Sequence, residues 1–352
     1  MKEQSSGIIK RILVIGNMGY VGPVLVKHLW ESNANYDIRG YDQGLFAHCL
    51  LGVDELPERY LVNQYFGDVR QFNIAVLDEI DAIVYLAAIS NDPMGKEFET
   101  LTHDINHLCA LKIANEAKKK GVQKFIFASS CSVYGAGGES AKVESDTVNP
   151  LSAYAKSKVD AETSLSSLAN SDFVITCLRF ATACGISPRL RLDLILNDFV
   201  ATAILKKQIN ILSDGTPLRP LIHVKDMARA IEWSIQRDRN NGGEFVIVNV
   251  GSNDWNFSVL ELAEEVSKCL GGVKIIVNKE APPDKRSYRV NFNLYKSLAG
   301  EFVLVEKIQN TILDIAKQIN QSNFQMEDFY NSDFIRLNVL RKMVRKGLIV
   351  QS

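Results

Sequence analysis

Apolar positions along this chain follow two alternating patterns. Residues 11–15 (RILVI) form a short apolar run that ends in glycines, and beyond it Val21, Leu25, Val26 and Leu29 recur at helical spacing. The change of period predicts a strand, a tight turn and a helix over 20–30. Further short apolar runs at 36–41, 60–66, 82–87, 124–129 and 173–180 predict strands, and helical stretches are expected at 71–78, 101–120 and 152–168. The run KFIFAS at 124–129 is strongly apolar, as in a strand covered on both faces. Six or seven strands with helices between them predict an α/β protein with a Rossmann-type, doubly wound parallel sheet, because neighbouring parallel strands need a crossover helix.

After Gly185 the texture changes. A helix over 192–207, a strand at 209–212, a turn-rich loop at 214–220 (DGTPLRP), a helix over 224–237 and a strand at 244–250 are expected in turn. A helix over 259–270, a strand at 273–278 and a loop with three basic residues at 282–289 follow. The expected organisation is a Rossmann domain over 1–185, to which some later segments return, then a smaller C-terminal α/β domain over 186–320 and a helical extension over 321–352. In the extension, Phe334, Leu337, Leu340 and Val344 alternate with Arg336, Arg341, Lys342, Arg345 and Lys346. This spacing predicts an amphipathic helix packed on the body with a solvated basic face.

Charge narrows the partners. Forty basic residues against forty-one acidic ones give a net charge of -1, so no global positive field exists for nucleic acid or a membrane surface, and neither partner is expected. No window reaches the ~20 apolar residues of a spanning helix. The six cysteines are scattered without metal-finger spacing, which predicts free buried thiols in a reducing compartment. The opening residues lead straight into the first strand without a signal-peptide core, so a cytoplasmic location is expected. His28, His48, His103 and His107 form no convincing ligand set, and no metal is expected.

Gly16, Gly19 and Gly22 stand at G-x-x-G-x-x-G spacing between the first strand and the first helix. Missing side chains let backbone approach a pyrophosphate there, and the helix N-terminus supplies N–H groups and a positive dipole end. Tyr20 and Val21 belong to the same turn. Asp42 ends the second strand twenty residues after Gly22, where a carboxylate accepts hydrogen bonds from ribose hydroxyls and repels a 2′-phosphate, so the expected cofactor is NAD rather than NADP. Asp68 and Val69 follow the third strand, and Asp68 has two readings, the adenine amine or a helix cap. Leu86, Ala87 and Ala88 end the fourth strand, where small side chains would let the cofactor cross the sheet edge.

Tyr154 and Lys158 are four apart at the start of a helix and so share a face. A nearby ammonium and the nicotinamide charge are expected to lower the phenol's pKa, so that Tyr154 takes a hydroxyl proton as hydride leaves and returns it in reverse. The strand before it ends in Ser129, Ser130, Cys131, Ser132, Val133, Tyr134 and Gly135, at the edge where open α/β sheets carry their sites. Ser130 is the chosen hydroxyl for the reacting sugar oxygen, ahead of Ser129 and Ser132.

Taken together, 16–22, Asp42, 129–135 and 154–158 resemble the extended short-chain dehydrogenase/reductase superfamily, in its NAD-dependent nucleotide-sugar epimerase and dehydratase group. The similarity spans about residues 10–315. It implies that Ser130, Tyr154 and Lys158 are the catalytic set, and it matches Arg179, Phe180, Thr182, Gly185 and Pro188 to a stretch that touches the sugar or its phosphates. Thr182 stands where asparagine is common, which implies an altered contact. The group's 4,6-dehydratases carry aspartate and glutamate directly after the catalytic threonine. Cys131 and Ser132 stand here instead, and neither is a strong acid or a suitable base.

The activity this implies is epimerisation of a nucleotide-diphosphate sugar through hydride removal at C4, a keto sugar and hydride return. Two alternatives stay open: a 4-dehydrogenase or 4-ketoreductase that releases its product, and an NAD-retaining binding or regulatory protein. Arg219, with Arg286 or Arg289, resembles the phosphate-contacting arginines, and Asn197 a residue bonding the diphosphate. Ser90 and Asn91 are expected near the hexose or in a simple turn, and His223 is read as structural. The resemblance also implies a homodimer built on the helices at 101–120 and 152–168.

Overall fold

The computed structural model describes residues 10–32, 34–136, 138, 140–281, 286–322, 324 and 329–349. Its strands are β1 (Arg11–Ile15), β2 (Asp37–Asp42), β3 (Asn63–Phe66), β4 (Ala82–Tyr85), β5 (Lys124–Ser130) and β6 (Val174–Phe180). They continue with β7 (Thr182–Cys184), β8 (Gln208–Ile211), β9 (Leu218–His223), β10 (Phe245–Val250), β11 (Asn256–Ser258) and β12 (Lys274–Val277). Seven of them form one parallel sheet in the order β10-β6-β5-β4-β1-β2-β3. This is the doubly wound class expected from the alternation of periods. Chain order reverses between β4 and β1, and ligand crevices of such sheets open at that switch point. Ile15 is level with both Tyr41 and Tyr85, so the residues after β1, β2 and β4 emerge side by side.

Alternation along β1 feeds two cores. Ile12 and Val14 pack with Leu25, Leu29 and Ile231 on one face, while Leu13 and Ile15 pack with Ile83, Ile113 and Phe125 on the other. Each such buried aliphatic side chain contributes roughly 1.5–3 kcal/mol relative to exposure. A third core, including Leu196, Ile209, Leu262 and Ile312, joins the helices Ile195–Lys206, Val259–Cys269 and Ile308–Gln321 to the β8–β12 pair.

Several local expectations differ from the structure. Residues 71–78 form no α-helix; Val69–Gln71 and Ile74–Leu77 are single 3-10 turns capped by Asp68 and Asn73, whose carboxylate and amide oxygens accept the N–H groups two residues on. The expected loop at 214–220 gives way to β9, which pairs with β7 and β11. The helix at 101–120 contains a π turn, Asp104–Cys109, between Glu99–His103 and Ala110–Lys119. Val224–Gln236 and β10 return to the main sheet. The opening residues 1–9 and positions 282–285 of the expected basic loop lie outside the described residues.

All six cysteines are free, and among the described residues no helix is long and apolar enough to cross a membrane. The extension does form an amphipathic helix, Arg336–Arg345. Arg336, expected on its solvated face, is instead buried, because its guanidinium donates to the carbonyls of Arg189, Leu190 and Asp333.

Candidate active site

A cleft of about 1140 Å³ opens above the β4–β1 switch point. Its floor is the glycine turn. Gly16 has a φ of 89°, and a Cβ there would sit 2.5 Å from the Ala87 nitrogen, so the turn and the β4 end touch only because the side chain is missing. Gly22 is equally constrained, with a Cβ 2.1 Å from the Asn17 carbonyl oxygen. The helix that begins there, Gly22–Glu31, has no side-chain cap and no acidic residue in its first turn, leaving its positive end for an anion.

Gly19, Tyr20, Val21, Asp42, Asp68, Val69, Leu86, Ala87 and Ala88 line the same cleft. Asp42 accepts hydrogen bonds from the N–H groups of Met18 (2.9 Å) and Gly44 (2.7 Å), which hold it between the turn and the β2 end. Burial pushes its carboxyl up, opposed by those two bonds. Asp68 caps the turn that follows it by accepting from the Arg70 N–H and pairs with the Arg70 guanidinium at 2.6 Å, while still bordering the cleft. The Tyr20 hydroxyl donates to the Gly185 carbonyl at 2.6 Å, so its phenol ties the turn to the segment after β7. These residues fit a dinucleotide: a bare anion-binding turn, a carboxylate level with it, and small residues opposite.

The structure brings Ser130, Tyr154 and Lys158 together along the wall beside it. Ser152 caps the helix Ala153–Ser166 by accepting from the Ala155 N–H, which sets Tyr154 and Lys158 one turn apart on the cleft side. Ser130 stands beside Tyr154 and favours its ionised form. Ser130 also accepts from the Ser132 N–H at 3.1 Å. Ser129, which also borders the cleft, donates its hydroxyl to buried Glu162 at 2.5 Å, and Glu162 is paired with Arg179 at 2.7 Å. Cys131 turns inward, its thiol donating to the Arg179 carbonyl, and burial pushes that thiol far up. The Ser132 hydroxyl is buried with no partner among the described residues.

Burial dominates the electrostatics here. It pushes the Tyr154 phenol up to about 12, against the lowering effect of Ser130. Lys158 donates to the Ala128 carbonyl at 2.7 Å, with its nitrogen 5.7 Å from the Tyr154 ring centre. Burial also pushes Lys158 down to about 7, partly offset by Glu162. The lysine therefore does not by itself lower the phenol, since desolvation acts on both groups and disfavours both charged forms.

On the far side, Ser90, Asn91, Thr182, Arg219 and Arg286 line the cleft. Asn91 caps the helix Asp92–Glu97 and donates to Asp193 at 2.9 Å. Asp193 and Ser90 both accept from Arg191, a buried cation facing the cleft near Tyr154 that the sequence reading did not single out. Only a repeated Arg-Leu pattern before an aspartate (RLRLD) marked it, and that pattern names no role. Arg219 donates to the Leu218 and Arg286 carbonyls, and Arg286 pairs with Asp92 at 2.8 Å.

Two expected ligands lie elsewhere. Asn197 is fully buried: its carbonyl oxygen accepts from the Gly185 N–H and its amide donates to the Arg191 carbonyl, so it braces the backbone behind the cleft. Arg289 is exposed beside Glu261 and Glu264 in a separate groove, because Tyr288 takes the cleft side of the extended segment and its neighbour must point away. His223 caps the helix Val224–Gln236, as its structural reading had it. His103, His107 and Asp160 offer metal-capable atoms within 4.8 Å of one another, outside the cleft.

The profile of the NAD dependent epimerase/dehydratase family matches residues 12–251, and the chain belongs to that family. Its cofactor is accordingly NAD. The chain is 28% identical over 289 residues to UDP-glucose 4-epimerase of Yersinia enterocolitica, covering 74% of this chain and 82% of that one. It is 25% identical over 268 residues to human dTDP-D-glucose 4,6-dehydratase, covering 74% of each. In fold it matches UDP-glucuronic acid 4-epimerase from Bacillus cereus, solved with UDP-glucuronic acid and NAD, at a TM-score of 0.75 and 22% identity, covering 88% of this chain and 99% of that one.

Proposed function

We propose that the protein is an NAD-dependent nucleotide-sugar epimerase that oxidises a ring alcohol, at C4 by analogy with the relatives, and reduces the keto sugar from the opposite face. The carrying observation is that Ser130 and Tyr154 stand side by side on the cleft wall, with no carboxylate at the two positions after Ser130. Cys131 faces a carbonyl and Ser132 offers only a hydroxyl, so nothing there matches the acid and base that eliminate water in the dehydratases. Bound NAD supplies the hydride acceptor and donor.

Tyr154 holds its proton at neutral pH in the free protein, ready to donate to the keto oxygen, and accepts it back in the oxidation step when positive charge gathers beside it. Ser130 orients the sugar oxygen. Arg219 and Arg286 are the cations for the diphosphate, with Ser90, Asn91, Thr182 and Arg191 toward the sugar. The same reading has the protein work as a cytoplasmic homodimer, which light scattering tests.

Incubation with candidate nucleotide sugars, following product stereochemistry and NADH absorbance together, tests the activity. The expected result is a stereoisomer without net NADH. Accumulating NADH and ketone would make it a dehydrogenase, a 6-deoxy product a dehydratase, and no reaction with NAD retained a binding protein. Tyr154→Phe is expected to cut turnover by at least ~100-fold with NAD affinity nearly unchanged.

A further inference from the structure

The sheet order puts β1 between β4 and β2, so the glycine turn that follows β1 lies between the segments after β4 and β2. The C-terminal segment touches both. Arg336 lays its guanidinium 5.0 Å from the ring centre of Phe46, four residues beyond β2, and Leu340 packs with Met94 and Phe98 in and after the helix that follows β4. Arg341 pairs with Glu97 at 2.6 Å on that second side. The segment is also tied down behind, where Arg336 donates to the carbonyls of Arg189 and Leu190, and the Leu192 N–H donates to the Phe334 carbonyl. Ile335, Leu337 and Leu340 line the same cleft as Gly16, Gly19 and Asp42.

We infer that residues 329–349 are a strap across the dinucleotide half of the cleft, and that Arg336 is the positioning residue that makes NAD leave slowly. This rests on NAD occupying the cleft and deepens the epimerase reading, since a reaction that returns its hydride every turnover needs no cofactor exchange. Arg336 suits the task because a buried guanidinium whose acceptors are backbone carbonyls of other segments fixes the strap by several directional bonds at once. The strap's apolar face then closes the cleft where an exchanging enzyme would need an exit.

The test uses full-length protein loaded with NADH and chased with excess NAD, timing the loss of bound-NADH fluorescence. Arg336→Gln is expected to speed release by at least ~10-fold, because buried acceptors lose their charged donor. Arg341→Glu, which faces Glu97 with a like charge, is expected to speed it about threefold, and adding Glu97→Arg to restore slow release, which general misfolding would not do. If Arg336→Gln fails to fold, the charge-swap pair decides alone. Chymotrypsin cleavage near Phe329 and Tyr330 reports loosening independently. Unchanged release in a variant whose strap is cut faster, or wild-type release complete within mixing time, overturns the strap and leaves the NAD assignment standing. Wild-type protein that binds neither NAD nor NADH overturns that assignment and the strap with it.

Discussion

Replacing Lys158 by methionine will separate turnover from stability. The wild-type ammonium is buried, and its pKa falls from the ordinary 10.5 to about 7. A displacement of that size corresponds to about 5 kcal/mol of native-state cost for the charged form. The sign follows from proton counts: between pH 7 and 10.5 the unfolded chain keeps the proton that the native protein has lost, so wild-type stability rises with pH across that window. The cost is full below about pH 7 and absent above about 10.5.

Methionine removes the titration but leaves the Ala128 carbonyl without its donor, at about 1–3 kcal/mol. The net shift already contains the attraction of the charged form to the Phe127 ring. The variant should thus be about 1–3 kcal/mol more stable than wild type at pH 7, and the difference should move about 3–4 kcal/mol in the wild type's favour by pH 10. Denaturant titrations of both proteins at pH 7, 8, 9 and 10 measure this, since other titrating groups cancel in the difference. Turnover should fall by ~100-fold or more at every pH if Lys158 supports the proton transfer. A stability difference that stays flat from pH 7 to 10 would refute the buried-ammonium reasoning.

Gly16→Ala should abolish NAD binding in equilibrium dialysis and lower stability by roughly 1–3 kcal/mol, because the added methyl meets the Ala87 backbone at an unfavourable positive φ. Retained binding would mean the turn has room the geometry denies. Glu162→Gln should cost about 3–5 kcal/mol in a denaturant melt, since Arg179 keeps its buried charge without a counterion. A loss under 1 kcal/mol would show that Tyr134 and the Glu144 carbonyl suffice for the guanidinium. Dialysis against a chelator should leave turnover unchanged, because among the described residues the only metal-capable group, His103 with His107 and Asp160, lies outside the cleft. Activity lost to the chelator and regained with zinc would contradict this.

What the sequence disclosed divides by the range of the physics involved. Gly16 and Gly22 were legible because short-range sterics admit no other residue there, and the Tyr154–Lys158 pair because helical spacing alone puts both on one face. The same locality misled at Arg289: a basic loop residue looks like any phosphate ligand until the alternation of an extended segment assigns the cleft to Tyr288. Asn197 failed for a related reason. A polar side chain in a buried helix needs partners, and the backbone after β7 satisfied it before any ligand could, which composition does not reveal. The pKa values of the pair were not legible because they depend on burial, which disfavours both charged forms and which helical spacing does not show. Arg336 lay furthest from view. On a helical wheel it joins the basic face, yet its acceptors are carbonyls of residues 189 and 190, almost 150 positions earlier, exposed to it only once β7 has left the sheet. A cation read as solvated from its own helix can therefore be among the most deeply held of the described residues, and in this fold its bonds to the Arg189 and Leu190 carbonyls tie the Arg336–Arg345 helix to a distant stretch of the chain.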